Sequence, residues 1–176
     1  NGTDHFLLTM TPSSGAQHKN IQILPVPREV FSPSNFRGWN RVLSSLRSKD
    51  PFWSYKMIPS ILFADHFENT IRSVGPDLIH FHQLNLKNLP LLRRVLEMGI
   101  PLVVTLHGPD CFYPVIPEEK LHHRKYLEKR MEMRTIEYLN QRKVPVLCVG
   151  GVMKDKILNH LQIAFPEKIY PLPNGY

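Results

Sequence analysis

Four short apolar runs, spaced by segments of helical period, constrain the fold of this 176-residue chain more than any other feature. Residues 77–82, 100–106, 144–149 and 168–172 are strand-length, apolar and bounded by Gly, Pro or charged residues. Between them, Leu89, Leu92 and Leu96 give a helical face closed by Gly99, and Met153, Ile157 and Leu161 mark a shorter one. Before the first run, Phe63, Phe67, Ile71 and Val74 recur at i, i+4, i+8 and i+11 on a helix that stops at Gly75-Pro76. A long, highly charged helix is expected over 118–142, with Leu127, Met131 and Leu139 inward. Strand alternating with helix in this way predicts an α/β fold: a Rossmann-like parallel sheet with helices on both faces.

The amino-terminal third reads differently. Residues 6–10 and 21–26 are strand candidates, separated by a turn-rich stretch. Residues 27–59 combine several Pro and Ser with scattered aromatics, which predicts a long excursion holding one short helix near 39–46. The opening Asn1-Gly2-Thr3-Asp4 has neither Met nor a leader, so the chain is expected to start inside a larger protein. No apolar run approaches the roughly 20 residues that span a bilayer. The two cysteines, Cys111 and Cys148, form neither a metal pair nor a disulfide framework, which fits a reducing, cytoplasmic setting.

Chemistry is expected at the carboxyl ends of the strands, because open parallel sheets form their ligand crevice there. Val103-Val104-Thr105-Leu106-His107-Gly108 runs from a buried strand into a loop that continues Pro109-Asp110. His107 is the leading candidate for a working residue, with Gly108 letting a ligand approach the backbone and Asp110 close by. The alternative is a histidine that only caps the strand end. His80 and His82 share one face of their strand, with Phe81 on the other. Packing is expected of His80, and a crevice-edge position of His82, Gln83 and Asn85, whose donors and acceptors suit carbohydrate hydroxyls. A His80–His82–His107 metal site lacks an obvious further ligand, so none is assigned.

The formal charge of +7 favours anionic partners. Helix 118–142 carries Lys120, Arg124, Lys125, Lys129, Arg130 and Arg134 among Glu128, Glu132 and Glu137. Arg130 and Arg134 opposed by Glu137 read as a solvated face. An anionic membrane surface is the sharper alternative. Aromatics interleave poorly with these charges, which argues against nucleic acid. No Gly-x-Gly-x-x-Gly, Walker-type Gly-Lys-Ser/Thr, Gly-x-Ser-x-Gly or His-Glu-x-x-His occurs, so no complete nucleotide site is visible.

The ordered segments carry a resemblance. Pro76-Asp77-Leu78-Ile79-His80-Phe81-His82, Val103-Val104-Thr105-Leu106-His107-Gly108, Val146-Leu147-Cys148-Val149, and the run from Pro166-Glu167-Lys168-Ile169 to Pro173-Asn174-Gly175 follow one another as in the amino-terminal domain of GT-B glycosyltransferases of family 4. The resemblance is good over 60–176 and weak before Pro59. It implies a retaining hexosyltransferase that moves a sugar from a nucleotide-sugar donor to a saccharide or lipid-linked acceptor, as in cell-surface polysaccharide synthesis. The donor is a substrate, and no further cofactor is implied. By the same resemblance His107 contacts the transferring sugar, and Asn174-Gly175 is the turn that leads toward a donor-binding domain.

Three departures follow from the comparison. A donor domain would lie beyond Tyr176, and the first strand with its glycine-bearing loop would precede Asn1. Residues 1–176 are thus expected to be a single acceptor-side domain truncated at both ends, binding weakly and not turning over alone. Where the family commonly has Ser after the strand at 146–149, this chain has Gly150-Gly151, both placed at the acceptor wall. The competing reading is a non-catalytic, flavodoxin-like α/β module that binds a phosphorylated ligand.

Overall fold

The computed structural model describes residues 5–8, 21–24, 28–47, 51–82, 84, 88–107 and 123–173. Strands β1 (His5–Leu8) and β2 (Ile21–Leu24) pair in parallel as a two-stranded sheet of their own. Helices α1 (Phe36–Leu46) and α2 (Pro51–Val74) follow, and then β3 (Ile79–His82), α3 (Leu89–Met98), β4 (Leu102–Leu106), α4 (His123–Gln141), β5 (Val146–Val149), α5 (Gly151–His160) and β6 (Ile169–Leu172). Strands β3 to β6 form a four-stranded sheet in sequence order, parallel throughout. The expected α/β, Rossmann-like class is what the chain adopts.

Register assigns each side chain a face. Ile79 pairs with Leu102, Phe81 with Val104, Val104 with Val146 and Val146 with Ile169, so these residues share one side. That side is the core: Val104, Leu106, Val146 and Cys148 are fully buried against Phe63, Phe67, Leu92, Val95, Leu139, Met153 and Ile157 from the helices. Burying each such aliphatic side chain stabilises the fold by about 1.5–3 kcal/mol. The other side holds His80, His82, Val103, Thr105, Leu147, Val149, Tyr170 and Leu172. Among the described residues its apolar members stay outside the core cluster and, Tyr170 excepted, are half-buried. Helical cover on both faces was expected; the described packing is concentrated on one.

Two local expectations change. The irregular excursion ends at Pro51, because α2 begins there and continues through Pro59. Proline suits the first position of a helix, whereas Pro59 lies inside it at an exposed position, where it gives up an amide hydrogen bond and crowds the carbonyl four residues earlier. The charged helix is described from His123; residues 118–122 lie outside the described set. Its buried residues, Thr135, Ile136, Leu139 and Asn140, sit in its carboxyl-terminal half. Met131 is half-buried, while the side chain of Leu127 lies outside the described set.

Glycine closes α3 for a backbone reason. Gly99 adopts φ 72°, ψ 14° and donates its amide to Leu96 O at 3.3 Å, a left-handed cap that a Cβ would strain. The chain then reverses through Pro101 into β4, one of the two inner strands of the sheet and the one that leads to the candidate site.

Candidate functional site

The carboxyl edge of the sheet collects the histidines. On β3, side chains alternate, so His80 and His82 project from the open face while Ile79 and Phe81 project into the core. Phe81 meets Phe67 edge-on, ring centroids 6.3 Å apart, which anchors the strand from below. His107 follows directly on β4, two residues beyond Thr105, and so returns to the face of the other histidines.

The three imidazoles form a column. The rings of His80 and His82 lie 4.0 Å apart between centroids, and His82 stacks on His107 at 6.0 Å and 24° between planes. His80 is tied at its other end, where Nε2 lies 2.6 Å from Oγ1 of Thr105, a side chain buried on β4. His80, of which packing was expected, is an exposed residue held by a hydrogen bond to a buried hydroxyl. Thr105 had a sequence signal, a polar residue ending an apolar strand, but its partner 25 residues away did not.

Desolvation by burial pushes the pKa of His80 below the ordinary value of 6.5, and His82 and then His107 lower it further by repulsion. The shift favours the neutral form of His80, and a neutral imidazole offers one donor and one acceptor nitrogen. That pattern suits hydroxyl groups. Among the described residues, no group of three His, Cys, Asp or Glu side chains could hold a metal ion.

The glycine pair after β5 stands on the same edge, since Cys148 lies beside Leu106 in register. Gly150 takes φ 91°, ψ 145° and donates its amide to Leu172 O at 2.9 Å, a conformation that disfavours Ser. Gly151 opens α5, and a Cβ there would meet nothing within 4 Å. The site thus joins His82 and His107 with a glycine turn at one sheet edge. Gln83, Asn85, Gly108, Asp110 and Asn174 lie outside the described residues.

The basic helix offers less than its composition promised. Glu137 accepts a hydrogen bond from Gln162 N at 2.9 Å, joining α4 to the loop after α5, where opposition to Arg130 and Arg134 was expected. Arg142 lies over the Tyr138 ring at 5.0 Å. The side chains of 120–129 lie outside the described set, and among the described residues no helix is long and apolar enough to cross a membrane.

A parallel α/β sheet with imidazoles gathered at its carboxyl edge has the architecture of a Rossmann-like domain. Residues 4–176 match the family model described as Glycosyltransferase Family 4. The chain belongs to that family, whose members act on a sugar donor and an acceptor. No curated protein matches it.

Proposed function

We propose that this chain is the acceptor-side domain of a retaining hexosyltransferase that transfers a sugar from a nucleotide-sugar to a saccharide or lipid-linked acceptor in cell-surface polysaccharide synthesis. The observation that carries this reading is the stacked His82–His107 pair at the carboxyl edge of the sheet in a family 4 chain. His107 contacts the transferring sugar, and His82, Gln83, Asn85, Gly108 and Asp110 line one side of the cleft. Gly150 and Gly151, on the same sheet edge, continue the acceptor wall, and Asn174 begins the crossing toward the donor-holding domain. A neutral imidazole can both accept from and donate to sugar hydroxyls, which orients the ring without placing a competing charge beside the reacting carbon. Fixed dipoles and the donor's own phosphates stabilise the oxocarbenium-like transition state, so no cofactor beyond the donor is required. The protein works on the cytoplasmic side, with the basic α4 available to an anionic membrane surface.

Purified protein carrying this chain within its native flanking sequence, given labelled nucleotide-sugars and saccharide or lipid-linked acceptors, tests the reading. Transfer with the donor's anomeric configuration kept is expected. An inverted product contradicts the retaining mechanism, and tight binding of a phosphorylated ligand with no transfer to any acceptor favours a binding module.

A further inference from the structure

We propose that Thr105 is a positioning residue for the reaction centre: its buried hydroxyl anchors His80, and His80 in turn fixes His82 and, through it, the placement of His107. The inference rests on the transferase reading for its link to catalysis, and on geometry alone for the anchoring.

Three observations carry it. Thr105 is 2% exposed, and its hydroxyl lies 2.6 Å from His80 Nε2. A buried hydroxyl left without a partner costs about 1–3 kcal/mol, so the bond is held whenever the sheet is formed. Thr105 lies beside His82 in register and two residues before His107, so one rigid strand sets both ends of the column. The rings then touch in sequence, His80 on His82 at 4.0 Å and His82 on His107 at 6.0 Å.

His80 is also the ring whose pKa is lowered, by burial first and then by His82 on its own strand and His107 at the end of β4. From β5, the same face presents apolar Leu147 and Val149. Release of His80 from Thr105 would free its ring to turn and would loosen its stack on His82.

Histidine ring NMR of the 176-residue chain, with each signal assigned by a single His→Gln substitution, reads this directly. In the wild type the His80 midpoint lies below the ordinary imidazole value, and its Nε2 reports a hydrogen-bonded, single tautomer. Thr105→Val, which keeps the side-chain shape, should let the His80 ring average its tautomers and should move the ring signals of His82 and His107. Thr105→Ser should restore the wild-type spectrum. An unchanged His80 tautomer with unchanged His82 and His107 signals in a folded Thr105→Val chain overturns the proposal, as does a wild-type His80 ring that averages its tautomers like free histidine. The latter result stands even if the Val variant does not fold.

None of these readouts involves a sugar, so the anchoring can fail while the transferase reading survives. In the protein that transfers sugar, Thr105→Val is expected to lower kcat about tenfold with little change in donor KM. Altered histidine ring signals with unchanged kcat contradict the link to the reaction centre.

Discussion

Asn140 and Phe165 hold each other reciprocally: Asn140 Nδ2 donates to Phe165 O at 2.8 Å, and Phe165 N donates to Asn140 Oδ1 at 2.8 Å. A fully buried amide thereby satisfies both backbone groups of one residue and ties the end of α4 to the chain entering β6. Asn140→Ala removes both bonds and strands two backbone groups in the interior. The expected loss is about 2–4 kcal/mol, measured as a lower urea midpoint with an unchanged m-value.

The two adjacent glycines after β5 should respond in opposite ways. Gly150→Ala forces a side chain onto φ 91° and should cost about 1–2 kcal/mol. Gly151 has open space around its missing Cβ and begins a helix, so Gly151→Ala should be neutral or stabilising by up to about 1 kcal/mol. Thermal unfolding of the pair separates a conformational need for glycine from a mere lack of room.

Cys148 lies at the centre of the core, fully buried, and burial pushes its thiol from an ordinary 9.0 up to about 12 despite the opposing influence of Lys154. The native thiol should resist alkylation at pH 8, with peptide mapping showing its modification only at the rate of unfolding. Because the folded pKa is raised, the contribution of this group to stability is complete below about pH 9 and is lost as pH rises toward 12.

His66 and His80 have the opposite sign. Desolvation lowers both, with added repulsion from His82 and His107 on His80. The unfolded chain takes up protons at these rings near pH 6.5 and the folded chain only at lower pH. Their contribution is therefore full above 6.5 and is lost as pH falls through the depressed folded values. Urea midpoints at pH 7 and pH 5 should differ less in a His66→Gln, His80→Gln double variant than in the wild type.

Much of this architecture was legible because its residues state one preference at every level. The 100–106 run is β-branched, lies between Gly99 and a loop glycine, and becomes β4. The helical face of Phe63, Phe67 and Ile71 is buried as its spacing requires. The start of α2 was not legible, because Pro59 is a local breaker that an exposed position on a helix tolerates. Nor was the parallel pairing of β1 with β2, since a turn-rich link does not announce a crossover. Within the site, the strand alternation placed His80 and His82 on one face, while the parallel register that sets His107 beside them depends on pairing between strands. The Thr105–His80 bond and the Asn140–Phe165 pair depend on neighbours 25 residues away. A polar residue carries no local mark of such a partner, and Asn140 in a charged helix reads as solvated.

The most direct test of the account is sugar transfer by the protein carrying this chain in its native flanking sequence, wild type against His107→Ala. The account predicts a kcat/KM at least about 100-fold lower in a variant whose unfolding midpoint is unchanged. Full transfer by folded His107→Ala would contradict it and reduce His107 to a residue that closes the strand end.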